Sequence, residues 1–164
     1  MMLTEMLVQP GKGEMYWVLE DLFTFKTVGE ETNGSYSLIE IECIGEHPPH
    51  VHTNEDQFFY VLGGQLEVLL GENTSIATNG TFIHVPKGKK HGFKNLYLEE
   101  PALMLCMTTP AGSIEKFVRE VGTVAKDLHV ARPRATRADY EKFRAAALPY
   151  GIEVIPFLYE DAPN

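Results

Sequence analysis

The chain has 164 residues, a length that suits one domain with a sizeable core. Hydrophobic residues make up 44% and charged residues 23%, which excludes disorder and collagen-like structure, and no run reaches the roughly 18 apolar residues of a membrane span. With 14 Lys plus Arg against 23 Asp plus Glu the net charge is −9, which argues against nucleic acid or a membrane surface as partner, since both need a basic face. The first residues, MMLTEMLVQPGKGEMYW, lack a basic region followed by an apolar run, so a cytoplasmic location is expected.

From about residue 16 to 110, short β-branched and aromatic runs alternate with turn chemistry. The runs are YWVLEDLFTFKTV, SYSLIEIECI, HVHTNEDQFFYVL, QLEVLL, TFIHVP, HGFKNLYL and ALMLCMTT. Asn33-Gly34, Gly63-Gly64, Asn79-Gly80 and PKGKK at 86–90 separate them. This is an all-β reading, a sandwich or small barrel, with no helix long enough for parallel crossovers. Cys43 and Cys106 fall in strand-like runs and read as buried free thiols.

After Pro110 the period changes. Ser113 can cap a short helix carrying Phe117, Val118 and Val121 before Gly122. Thr136 with Asp139 suggests a capping box for a second helix, in which Tyr140, Phe143 and Ala147 share one face until Pro149. The tail YGIEVIPFLY is expected to add an edge strand or pack across the barrel. One domain over 1–164 is expected, with its barrel core at about 16–110 and a helical extension and tail at about 111–164, because two short helices cannot bury a separate core.

Three of the six histidines, His47, His50 and His52, fall within six residues. Side chains two apart on a strand share a side, so His50 and His52 project together. Alternation then places Gln57, Phe59 and Val61 on one face. With the distant His91, this spacing suits a divalent metal that keeps an open coordination position. Asp56 and Glu55 compete with Gln57 as the fourth polar neighbour, or form a solvent-facing acidic pair at a turn. His47 before Pro48-Pro49 reads as an exposed loop histidine, His84 as a partly buried strand residue or a cavity residue, and His129 as a surface residue. Tyr36, Phe59, Phe93, Met104 and Cys106 fit an apolar pocket or plain core. Arg132, Arg134 and Arg137 suggest solvated or intersubunit pairs, or anion binding.

Gly45-x-x-x-x-His50-x-His52 leads through FFYVLGG to Gly64, and Gly80, Pro86, Gly88, His91 and Asn95 form a second block. Together they resemble the two motifs of the cupin superfamily. From Gly29-Glu30-Glu31-Thr32 through PPHVHTNEDQFFYVLGGQLEV, TTPAG and the DYEKFRAAALPYGIEVI tail, the chain resembles single-domain cupins often compared with bacterial quercetinases. The resemblance implies a double-stranded β-helix, or jelly roll, commonly paired as a homodimer. It also implies one divalent transition metal per chain, among Fe, Ni, Co, Mn, Cu and Zn, held by His50, His52 and His91.

One position departs from that pattern. Where the resemblance places a glutamate that both ligates the metal and handles the substrate proton, this chain has Gln57. An amide oxygen can still face a metal, but it brings no negative charge and cannot act as a base near neutral pH. The expected function is a quercetinase-like dioxygenase acting on a flavonol or other small enolisable aromatic compound. The alternatives are a cupin that binds a small ligand without turnover and a non-redox cupin isomerase.

Overall fold

The structure is a computed structural model that describes residues 5–156. The first long run divides at a left-handed Leu19 into β1 (Glu14–Val18) and β2 (Asp21–Thr27). Next come β3 (Ser37–Cys43), β4 (Glu46–His52), β5 (Asp56–Gly63) and β6 (Gln65–Leu70). Polar β7 (Asn73–Thr78) returns beside β6 and leads to β8 (Phe82–Val85), β9 (His91–Asn95) and β10 (Ala102–Thr109). After helix α1 (Ser113–Val121) and the short β11 (Thr123–Val124), helix α2 (Arg137–Ala147) precedes β12 (Ile152–Val154).

The strands form two antiparallel sheets, ordered β11-β1-β2-β3-β10-β5-β8 and β12-β4-β9-β6-β7. Period-two patterning sets their faces: along β10 every second side chain from Ala102 is buried, and β5 alternates likewise. Ile39, Val61 and Met104 from one sheet and Leu66, Val68 and Phe93 from the other fill the space between them. Fully burying a side chain of this size contributes about 1.5–3 kcal/mol, so this inner layer is the main source of stability.

The two helices pack on one end of the sandwich. Helix α1 begins one residue after the cap: Gly112, not Ser113, is its N-cap, because Glu115 supplies the carboxylate. Glu115 Oε2 accepts from the Gly112 N–H at 2.8 Å and Oε1 from the Gly29 N–H at 2.9 Å, fastening the helix to the β2–β3 connection. Helix α2 has the expected cap, in which Thr136 Oγ1 accepts from the Asp139 N–H. Phe117 of α1 meets Phe143 of α2 edge to face at 5.0 Å. The tail does add an edge strand: Ile152, Glu153 and Val154 pair with His52, Val51 and His50. Phe157, Leu158 and Tyr159 lie outside the described residues.

Both cysteines are buried free thiols, as expected. Among the described residues no helix is long and apolar enough to cross a membrane.

Candidate metal centre

Strand β4 carries two of the three converging imidazoles. It lies between β12 and β9, and its pairing with β9 shifts register between His47 and His50. The adjacent Pro48 and Pro49 donate no ladder hydrogen bond, and three steps along β4 oppose two along β9. Gly92 faces this bulge. A Cβ there would meet His47 O at 3.1 Å and Pro49 Cα at 3.4 Å, so the close approach of the two strands needs a glycine.

His91 arrives from the turn after β8. The Gly88 N–H donates to His52 O at 2.7 Å, docking the PKGKK turn on β4, and His91 pairs directly with His50. Ring centroids lie 5.0 Å apart for His50 and His52, 4.2 Å for His50 and His91, and 5.5 Å for His52 and His91. One ring nitrogen from each lies within 4.8 Å of the others.

Each ring is oriented through Nδ1. Pro48 O lies 2.8 Å from Nδ1 of His50, Glu55 Oε1 2.8 Å from Nδ1 of His52, and Lys89 O 3.0 Å from Nδ1 of His91. All three partners are acceptors, so each Nδ1 donates and each Nε2 is left with a lone pair. Burial, reinforced by His91 and His52, holds His50 well below the ordinary histidine range, and burial lowers His91 to about 4. Both rings are therefore neutral at neutral pH.

Gln57 joins the cluster. It is 3% exposed on β5, with Oε1 2.9 Å from His91 Nε2 and Nε2 donating to Cys106 Sγ at 3.7 Å. Burial raises the Cys106 pKa, so the group is a thiol. Two lone pairs facing each other at 2.9 Å repel unless the amide turns over or a cation lies between them. Neighbouring ligands of one transition metal stand about 3.0–3.4 Å apart, for bonds of about 2.1 Å in octahedral or tetrahedral geometry. The set of three imidazole nitrogens and one amide oxygen thus fits a divalent transition metal.

The acidic neighbours separate. Glu55, 2% exposed, orients His52 and is not a solvent-facing turn residue. Asp56 accepts from the Lys87 N–H at 2.8 Å instead. The reading of His47 as an exposed loop histidine is corrected. It lies within β4, half-buried, and pairs with Asp21 through Nε2 and Oδ2. The bulge is the cause: over an odd separation of three residues, His47 and His50 both line one cavity. Burial disfavours the His47 cation, yet Asp21 and Cys43 together outweigh it and hold the group well above the ordinary histidine range.

That cavity offers ≈ 70 Å³ to the centres of water-sized molecules, space for about five of them. Phe59, Phe93 and Cys106 of the expected pocket residues line it. Met104 is fully buried core and Tyr36 is exposed. Helix α1 closes one side with Ile114, Phe117 and Val118, and Phe143, Ile152 and Val154 complete that wall. His84 is exposed on β8, stacked on Phe58 at 4.6 Å, and His129 is exposed as expected. Arg132 lies over the Trp17 ring and pairs with Glu42.

The two packed antiparallel sheets form a jelly roll of the cupin type. The Cupin_2 family, described as a cupin domain, matches residues 37–108, which include all four residues of the cluster. No curated protein matches the chain in sequence. Among solved structures, KdgF from Halomonas sp. superposes with a TM-score of 0.61 at 18% identity, covering 68% of this chain and 99% of that one. Pac13, a nucleoside dehydratase, gives 0.55 at 17% identity over 68% of this chain and 88% of its own. An RmlC-like cupin from Shewanella frigidimarina NCIMB 400 gives 0.54 at 18% over 67% and 96%. These likenesses show the cupin jelly roll.

Proposed function

We propose that the chain is a metal-dependent cupin enzyme, a dioxygenase-like oxidoreductase acting on a small enolisable compound. One divalent transition metal would be held by His50, His52, His91 and Gln57. The observation that carries this reading is the set of three imidazoles, each with Nδ1 donating to a fixed acceptor and Nε2 left as a ligand. A bound metal supplies Lewis acidity toward an enolate oxygen and a site for dioxygen chemistry.

The chain's own residues do the rest. Phe59, Phe93 and Phe117 make the cavity apolar, which strengthens every charge interaction inside it. Gln57 leaves the centre one negative charge short of a glutamate site, favouring an anionic substrate oxygen. A homodimer and a cytoplasmic location belong to the same proposal; exposed Tyr60, Leu62 and Phe82 on the first sheet offer an apolar outer face for pairing.

A second reading, a cupin that binds a small ligand without turnover, is favoured by one observation. The Glu55 carboxylate turns to His52 Nδ1 and does not line the cavity, leaving no base where the resemblance places one. Protein purified without a histidine tag and loaded with iron, nickel, cobalt or manganese decides between them. Oxygen uptake with quercetin or pentane-2,4-dione, lost in His50→Ala, supports the enzyme. Binding of these probes with no uptake in any metal form supports the second reading, and turnover by metal-free protein overturns the metal site.

A further inference from the structure

The cavity wall holds a second cluster. Asp21 opens β2, Cys43 ends β3 and His47 is the second residue of β4, so three strands meet at one end of the sandwich. A carboxylate oxygen, the thiol sulfur and an imidazole nitrogen lie within 4.8 Å of one another. Cys43 is fully buried, and its thiol lies 3.7 Å from Gly45 O and in contact with the His47 ring. Asp21 and His47 line the cavity while Cys43 lies behind them, so an ion held by all three would keep an open side toward the substrate space.

We infer that Asp21, Cys43 and His47 form a second metal site, selective for a thiophilic divalent ion such as zinc, cobalt or cadmium. The ligand types set the selectivity: a thiolate with an imidazole suits these ions, whereas magnesium and calcium require oxygen donors throughout. The three groups are oriented as ligands are. Asp21 Oδ1 accepts from the Ile44 N–H at 2.7 Å, leaving Oδ2 for the cluster. The His47 ring is held between the face of Phe23, 6.1 Å away and nearly parallel, and the edge contact with Phe93 at 6.0 Å. Asn95 Nδ2 donates to Cys43 O at 3.1 Å and fixes the end of β3. Without the ion, a proton bridges His47 and Asp21 and the Cys43 sulfur is a thiol. Metal entry releases the protons of His47 and Cys43 to solvent, so loading is favoured at alkaline pH.

Cobalt reports on the site without any substrate. The full chain, stripped of metal and titrated with Co(II) at mildly alkaline pH, is expected to bind two ions, one of which gives a sulfur-to-cobalt charge-transfer band in the near ultraviolet. Cys43→Ser and His47→Ala each lose that band and fall to one cobalt per chain. Cys106→Ser keeps the band, and the double variant His50→Ala with His52→Ala keeps the band while losing the other ion. Absence of the band in the wild-type chain at excess cobalt, its survival in Cys43→Ser, or its loss in Cys106→Ser overturns the assignment. Cadmium NMR of the unmutated chain repeats the test without a variant: a resonance in the sulfur-ligated range is expected, and nitrogen- and oxygen-ligated resonances alone overturn the site. The three-histidine centre has no sulfur ligand, so its failure to bind metal would leave the band in place and the two assignments are judged separately.

Discussion

His91 and Gln57 meet with two lone pairs: Nε2 and Oε1 stand 2.9 Å apart while His91 Nδ1 is committed to Lys89 O. Gln57→Glu is expected to tighten metal binding at the three-histidine centre by roughly tenfold or more, since ligand charge is a main determinant of affinity. Competition with a colorimetric chelator measures it. An unchanged dissociation constant would show that residue 57 does not face the metal.

Glu55→Gln tests the orientation of His52. The variant keeps shape but weakens the contact at Nδ1, and loss of such a supporting partner costs about 10–100-fold in metal affinity. Asp56→Asn is the control, because Asp56 serves the Lys87 N–H and should change affinity little. Equal losses in the two variants would contradict the separate roles of these neighbours.

The metal-free protein should lose stability as the pH falls. His91 titrates at about 4 in the folded chain against about 6.5 when unfolded, so between those values the unfolded state binds more protons. Its share, about 3 kcal/mol, is fully present above pH 6.5 and is lost progressively toward pH 4. His50 acts in the same direction. His47, raised by its acidic partner, acts oppositely, contributing below pH 6.5 and losing its share as pH rises through its folded value. Urea unfolding across this range measures the balance, and histidine NMR at pH 7 should show His47 charged with His50 and His91 neutral.

Gly151→Ala should weaken the fold and the site together. Gly151 has φ +72°, and a Cβ there would meet Asn54 Nδ2 at 2.4 Å and Thr53 Oγ1 at 2.7 Å. Its carbonyl accepts from the Thr53 N–H at 2.8 Å, next to the β12–β4 pairing. A destabilisation of about 1–3 kcal/mol is expected, with weaker metal binding. Thermal unfolding and metal titration read the two effects, and a variant as stable as the parent would show that the turn relaxes freely.

The gathering of His50, His52, His91 and Gln57 was legible because the strand period and a tight turn determine their facing. His47 was not, because the Pro48-Pro49 bulge reverses the parity on which that reading depends; the two prolines within a strand run were the available signal. Asp21 joins His47 from a strand over twenty residues away, a proximity created only by the tertiary fold. Glu55 read as a turn residue because its return to His52 depends on the local curl of the chain. β7 was missed because its exposed edge position leaves only Ala77 buried, so NTSIAT carries no apolar alternation.

Strand β12 gives the site an order of assembly. Val154 and Ile152 are the outer ladder partners of His50 and His52, and they are synthesised about sixty residues after His91. Until then β4 has β9 on one side and an open edge on the other. Metal capture is therefore a late event in the maturation of the chain, and a nascent or clipped form lacking residues 151–156 would carry every ligand of the three-histidine centre without the strand that holds two of them in place.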